Sequence, residues 1–242
     1  MDANVEPYDQ ILPLDYSIPI LYEDAEILIV DKPWDIRVDG DFEVTVEKLV
    51  RQGKIAQGST VLTGLGRQLN AFRLCNQLDY ATSGVLVLGL TSKGTGRCNK
   101  LFCERKTQKV YLAVGEGLYP QLGESVRVTE KISSVPDSFC MQIDLHGKEC
   151  VTDILPVKHV EMLDGRLGTL FEVNLLTGRR HQIRLHLKWL GYPIVGDVTY
   201  NKPDTDRMML HAWKIVLPFK NKTVAVEAGV DEFFSHTRAK YC

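Results

Sequence analysis

The 242-residue chain lacks an apolar run long enough to cross a bilayer. Its longest, Val85 to Leu90, is about a third of what a spanning helix needs. Membrane-spanning helices are therefore excluded. No CxxC pair occurs, and the six cysteines (Cys75, Cys98, Cys103, Cys140, Cys150 and Cys242) are scattered through a chain too large to depend on disulfide staples. With no secretory apolar segment at its start, they read as reduced thiols, which places the protein in the cytosol, or alternatively the nucleus. Basic residues are missing from the first 31 positions, where eight acids stand. That is the opposite of a mitochondrial transit peptide. The rest of the chain is mildly cationic, which fits a polyanionic partner without demanding one, ordinary solvated surface being the default reading of composition alone.

Metal and nucleotide motifs are absent too. His181 and His186 would lie about 140° apart on a helix and on opposite faces of a strand, so they do not readily share an ion. HExxH does not occur, and Cys98 with Cys103 has no second pair at ligand spacing. No metal is expected. Gly64-Leu65-Gly66 lacks a third glycine, and Gly94-Thr95-Gly96-Arg97 lacks the Gly-Lys-Ser/Thr ending of a phosphate loop. Thr82-Ser83-Gly84 is not a nucleophile elbow and reads as a turn.

What is present is a core, since 44% of the residues are hydrophobic. Residues 1–20, with Pro7, Pro13 and Pro19, read as an acidic N-terminal arm, and residues 21–242 as one domain. Glu26 to Val30 reads as a strand stopped by Asp31-Lys32-Pro33. Thr45 to Gln52 fits a short helix. The run Val85 to Leu90 reads as a strand covered on both faces, and Lys93 to Arg105 as a helix. In Val110-Tyr111-Leu112-Ala113-Val114 an aliphatic row facing the core turns Tyr111 the other way. Asp164-Gly165 marks a hairpin whose loop extends as far as Gly168. Ile183, Leu187 and Leu190 at i, i+4, i+7, with Gly191 and Pro193 beyond, mark a helix and its end. The class is α+β with a largely antiparallel sheet.

Two features call for chemistry. Arg180, Arg184 and Lys188 fall at i, i+4, i+8, and like charges so placed repel on a helix unless something negative faces them. Asp79 lies just before a turn that leads into the buried strand, at a sheet end where pockets form, although local sequence alone favours an Asx-type turn or cap for this aspartate.

Gln77-Leu78-Asp79-Tyr80-Ala81-Thr82-Ser83-Gly84-Val85-Leu86 resembles the H-R-L-D-x-x-T-S-G-L motif of RluA-type pseudouridine synthases. Thr177-Gly178-Arg179-Arg180-His181-Gln182-Ile183-Arg184-Leu185-His186 is similar to their T-G-R-x-H-Q-I-R-x-H motif. Lys109-Val110-Tyr111-Leu112-Ala113 resembles K-x-Y-x-A, and Gly191 to Asp197 resembles G-H-P-I-x-G-D. Leu210-His211-Ala212 matches as well, so order and spacing agree from about Leu21 to Phe219.

The resemblance implies the synthase fold, a mixed, largely antiparallel central sheet with flanking helices and a cleft across it, a catalytic domain over residues 21–242, and conversion of uridine within tRNA, rRNA or mRNA to pseudouridine, without metal or organic cofactor. By position Asp79 is the essential carboxylate, acting on the sugar or base or on a sugar proton; Arg184 pairs with it and Tyr111 lies against the uracil. Gln77, Leu78, Thr82, Ser83, Gly84, Gly178, Arg179, His181, Gln182, Ile183 and His186 fall in the substrate-binding motifs. Burial raises a carboxylate's pKa, and a guanidinium within about 4 to 6 Å lowers it by roughly 1–3 units, which is how an arginine keeps such an acid ionised. An aromatic face contributes about 1–3 kcal/mol to stacking on an extruded base. Lys93, Arg97, Lys100, Arg105, Lys106 and Lys109, with Arg180 and Lys188, are candidate phosphate contacts that offset the cost of extrusion.

The chain departs from the family pattern at Asn76-Gln77, where most relatives have His-Arg, and at Lys32-Pro33-Trp34-Asp35-Ile36-Arg37-Val38-Asp39, a worn form of an early K-P-x-G-x-x-x-H pattern. The alternative is a catalytically silent RNA-binding protein that keeps the fold. A glycoside hydrolase ranks below both, for want of a second acid near Asp79. No separate RNA-binding module is expected ahead of the catalytic domain, and a monomer is the default.

Overall fold

The first apolar runs form strands around a turn that the sequence builds locally. Asp24 Oδ1 accepts hydrogen bonds from the N–H groups of Glu26 and Ile27, at 2.7 and 2.9 Å, and so links β1 (Ile18–Glu23) to β2 (Ile27–Lys32). The structure, a computed structural model, describes residues 16–52, 55–57, 72–202 and 207–238. Most of the acidic arm, Gly64 to Gly66 and Cys242 lie outside these residues, and β1 begins inside the range expected for the arm. The chain divides into two compact units, Met1–Asn99 and Lys100–Cys242.

In the first unit β2 runs to Lys32, two residues past the expected strand, and stops at Pro33, which has no N–H to donate. Helix α1 (Val46–Arg51) is capped by Thr45, whose Oγ1 accepts from Lys48 N–H at 3.1 Å. Strands β3 (Ile55–Gln57), β4 (Arg73–Leu74) and β5 (Ser83–Gly89) complete the unit. The pairing order is β3-β1-β2-β5, with β4 also on β5, and β3 lies parallel to β1. Leu28 and Val30 sit opposite Leu88 and Leu86, and this face packs on Val46, Leu49 and Val50 of α1. Helix α2 (Ser92–Cys103) begins in this unit and runs into the next. It packs close to β5 because residue 89 is glycine: a Cβ there would lie 2.1 Å from Thr95 Oγ1. As its unbroken apolar run predicts, β5 is buried along its whole length.

The second unit is an antiparallel sheet of β6 (Gln108–Glu116), β7 (Val126–Val128), β10 (Thr152–Glu161), β11 (Leu167–Leu175), β12 (Leu210–Phe219) and β13 (Lys222–Glu227). Its order is β7-β10-β11-β6-β12-β13. A separate hairpin pairs β8 (Ile132–Ser134) with β9 (Met141–Ile143). Asp164-Gly165 does form the β10–β11 turn, with Gly165 at φ 88, but Gly168 already belongs to β11, shortening the expected loop. A further hairpin, which the sequence expectations do not include, joins β12 to β13. Pro156, inside β10, sits at a bulge, which accommodates a residue that cannot donate to a ladder. Helix α3 (Gln182–Trp189) ends in a Schellman motif: Gly191 N–H bonds Lys188 O, Tyr192 N–H bonds Leu187 O, and Gly191 has φ 91. A short α4 (Asp231–Phe234) buries Phe233 and Phe234.

The row of Arg180, Arg184 and Lys188 is not one helical stripe. Helix α3 starts at Gln182, so Arg180 lies ahead of it, and the first six helical residues, Arg184 among them, are all buried. Only Lys188 of the three stands on an exposed helical face. Among the described residues no helix is long and apolar enough to cross a membrane.

Candidate functional site

In the first unit Asp79 sits half-buried on a turn that closes through Thr82 N–H bonding its carbonyl at 3.1 Å. The turn is fixed from three directions. Leu78 packs into the core of this unit. Ahead of it, Cys75 N–H bonds Val87 O, and Asn76 Oδ1 accepts from Val87 N–H at 2.8 Å, tying the approach to β5. From β2, the fully buried Lys32 gives its ammonium protons to Pro33 O, Tyr80 O and Thr82 O, each at 2.8 Å. Two of those carbonyls belong to the turn that follows Asp79. Charge-assisted bonds of this kind are stronger than neutral ones, so a lysine some fifty positions upstream holds the turn in shape. Gly84 has φ 108, which explains why the T-S-G motif ends in glycine. Thr82 and Ser83 are buried, while Gln77 is exposed. The sequence reading missed Lys32 as a site residue, although the Lys-Pro pair was its signal.

In the second unit the two later motifs converge. On β6, Lys109, Tyr111 and Ala113 share one sheet face by strand alternation. Lys109 reaches Gly178 of the Thr-Gly-Arg segment, its Nζ lying 3.6 Å from where a Cβ would be. Tyr111 opposes Val173 of β11 and is nearly buried. It does point away from the aliphatic row, but that row does not mark the only covered face. Lys109, expected as a phosphate contact, is half-buried. Burial, with Arg105 adding to it, pushes its pKa down to about 8.

The hydrogen-bonding motif around α3 is largely self-satisfied. Thr177 Oγ1–H donates to Gln182 Oε1 at 2.8 Å, and that oxygen also accepts from Arg179 N–H at 3.0 Å. Gln182 Nε2 donates to Val151 O and Thr152 Oγ1. His186 is neutral, with Nε2–H bonded to Glu130 O at 2.9 Å and Nδ1 accepting from Thr152 Oγ1–H at 2.8 Å, and burial lowers its pKa. Gln182 and His186 therefore direct these atoms to protein partners. Ile183 is buried beside them.

Arg184 closes a two-pronged pair on Asp197: Nε to Oδ2 is 2.8 Å and Nη2 to Oδ1 is 2.7 Å, both residues being buried. Asp197 Oδ1 also accepts from the N–H groups of Thr199 and Tyr200. The guanidinium carbon lies 4.8 Å from the Tyr200 ring centroid. Burial raises the Tyr200 pKa, so its hydroxyl keeps its proton. That hydroxyl accepts from Met141 N–H at 2.7 Å and forms a hydrogen bond with His181 Nδ1 at 2.6 Å. His181 takes a left-handed backbone at φ 56 just ahead of α3. Asp197 ends the Gly-Tyr-Pro-Ile motif already noted in the sequence, but its pairing with Arg184 and the roles of Tyr200 and Thr152 appear only in three dimensions.

The basic cluster is partly balanced. Lys93 and Arg97 share Glu26 at 2.8 and 2.6 Å, and Lys100 and Lys106 share Glu104 at 3.8 and 2.8 Å. Two cations on one carboxylate leave each group net positive, compatible with phosphate contact. Arg179, Arg180 and Lys188 lie around α3, Arg179 with its Nε 3.3 Å from Glu149 O. Among the described residues no group of three or more His, Cys, Asp or Glu is placed to hold a metal ion.

Residues 26–189 match the family described as RNA pseudouridylate synthase. The chain is 31% identical over 234 residues to RNA pseudouridylate synthase domain-containing protein 1 of Danio rerio, an alignment covering 93% of this chain and 78% of that protein. It is 30% identical over 235 residues to tRNA pseudouridine synthase C of Vibrio parahaemolyticus, covering 89% of this chain and 92% of that one. The solved structure of human RNA pseudouridylate synthase domain containing 1 matches with a TM-score of 0.75 at 29% identity, over 91% of this chain and 86% of that chain.

Proposed function

Because the chain belongs to the RNA pseudouridylate synthase family, isomerases that act on uridine in RNA, we propose that its own reaction is carried by Asp79, with Tyr111 and Arg184 completing the catalytic set. The observation that carries this reading is the anchoring of the Asp79 turn by the buried Lys32 ammonium and by Leu78. A carboxylate on a turn held in this way is set in place before substrate arrives, and positioning is a large part of such a catalyst's work. The isomerisation breaks the bond from the sugar C1′ to N1 and forms one from C1′ to C5; C5 gives up its proton and N1 gains one. It balances without oxidant, reductant or cofactor. Enclosing the freed base keeps the second step effectively intramolecular.

Tyr111 offers a ring for the base to stack on, and Arg184, fixed by Asp197, offers a permanent positive charge. Gln182 and His186 act by shaping the loop that carries Gly178, Arg179 and His181. The substrate is a uridine in tRNA, rRNA or mRNA, the protein works as a monomer, and its free thiols fit the cytosol or nucleus.

The test is to incubate the protein with a uridine-containing RNA pool and map new pseudouridine, in parallel with Asp79→Ala. New sites that vanish in the variant, while its melting and RNA binding persist, are the expected result. RNA retention by the unaltered protein with no new pseudouridine would favour a silent RNA-binding protein, a reading that the exposed Gln77 in place of the usual arginine keeps in play.

A further inference from the structure

The β8–β9 hairpin is secured at its base and bare at its tip. Ile132, Met141 and Ile143 pack with Leu185 of α3 and with Tyr200, and Met141 N–H bonds the Tyr200 hydroxyl at 2.7 Å. The turn between the strands is itself ordered: Val135 N–H bonds Cys140 O at 3.0 Å, Ser138 N–H bonds Val135 O at 3.3 Å, and Cys140 N–H bonds Ser138 Oγ at 3.0 Å. From this built turn Phe139 projects with 73% of its surface exposed.

Its visible partner is a cation. The Arg180 guanidinium carbon lies 5.4 Å from the Phe139 ring centroid, and Arg180 is exposed with no salt bridge among the described residues. Arg179 is the next residue back, and Gly178, where an added Cβ would lie 3.6 Å from Lys109 Nζ, the one before. A lone exposed phenylalanine is ordinary. An exposed ring on a fixed hairpin, with a guanidinium beside it, next to the segment that carries the substrate motif, has the composition of a single-stranded nucleic-acid platform: a face for a base and a charge for its phosphate. Asp137 is the acid of the same turn and disfavours phosphate on its own side, which leaves the Arg180 side for the backbone.

We infer that Phe139 stacks on an unpaired nucleotide flanking the target uridine, with Arg180 holding that nucleotide's phosphate. The inference rests on the RNA-acting reading above and adds a contact outside the catalytic set. Stacking tolerates any base, so the platform selects single-stranded flanks and not a sequence.

The experiment measures binding of the full chain to a uridine-containing RNA stem-loop, and to the same RNA with abasic linkers flanking the uridine. Phe139→Ala should raise Kd for the intact RNA by about 5- to 100-fold. It should leave binding to the abasic RNA and the melting temperature unchanged, and Phe139→Trp should restore affinity. Equal binding by Phe139→Ala and the unaltered protein, an equal loss on the abasic RNA, or a lowered melting temperature each overturns the inference. So does a Phe139→Ala variant that loses only self-association, which assigns the ring to a second copy of the chain. Pseudouridine formation by the unaltered protein is scored separately: its absence sinks the proposed reaction, whereas its presence with undiminished Phe139→Ala binding sinks only the platform.

Discussion

Asp197→Asn preserves the shape of the side chain and removes its charge, and the cost follows from the geometry around it. Arg184 Nε and Nη2 approach the two carboxylate oxygens at 2.8 and 2.7 Å, and Oδ1 takes two further bonds from Thr199 and Tyr200 N–H. An asparagine offers one acceptor oxygen and one NH2. If its oxygen replaces Oδ1, the NH2 faces the Nε–H of Arg184, donor against donor; the opposite flip sets it against three donors. Either way the buried guanidinium loses the charge of this carboxylate. Side-chain exposures of 7% for Arg184 and 1% for Asp197 leave little room for water to compensate. Breaking one side of such a pair costs about 3–5 kcal/mol. In a chain of this length that lowers Tm by roughly 6–20 °C.

Urea unfolding of the full chain, followed by circular dichroism, measures this directly. Asp197→Asn and Arg184→Met should each be strongly destabilised, and the combined variant less so than their sum, because it strands neither charge. The loss should persist in 1 M salt, where exposed pairs are screened. A Tm within 2 °C of the unaltered protein, or strictly additive costs, would refute the buried pair as a stabilising unit.

Lys32→Met keeps most of the apolar stem and removes three donors from buried or part-buried carbonyls, each of which costs about 1–3 kcal/mol when left unpaired. Net destabilisation on the order of 3 kcal/mol is expected, with a single-turnover rate of pseudouridine formation falling more than RNA affinity. Normal stability together with a normal rate would remove Lys32 from the support of the Asp79 turn. Burial, with Arg105 adding to it, pushes the Lys109 pKa down to about 8 in the folded state from 10.5 in its ordinary setting. Between these values the unfolded chain binds a proton that the folded chain does not, so stability contributed at this position rises with pH. Relative to Lys109→Met, the protein should gain on the order of 1–2 kcal/mol between pH 7 and pH 9.5 in urea titrations. No relative gain would place the ammonium in water.

The sequence by itself determined the elements whose signals are local. The uninterrupted aliphatic run at Val85 specifies a strand covered on both faces, Asp164-Gly165 a hairpin, and Gly191 a helix end, because each depends on side-chain period or on a backbone angle that only certain residues adopt. It also carried the motifs that identify the family. Tertiary structure alone decided who pairs with whom. Lys32 meets carbonyls 48 and 50 positions later, and Gln182 and His186 both meet Thr152 from 30 and 34 positions away. The apparent stripe of Arg180, Arg184 and Lys188 dissolves because α3 begins after Arg180 and turns Arg184 inward to Asp197. Periodicity reports which face of an element is apolar. A buried charge is held by partners from other elements, and their arrival at hydrogen-bonding distance is fixed by strand register and turn geometry, which no local pattern records.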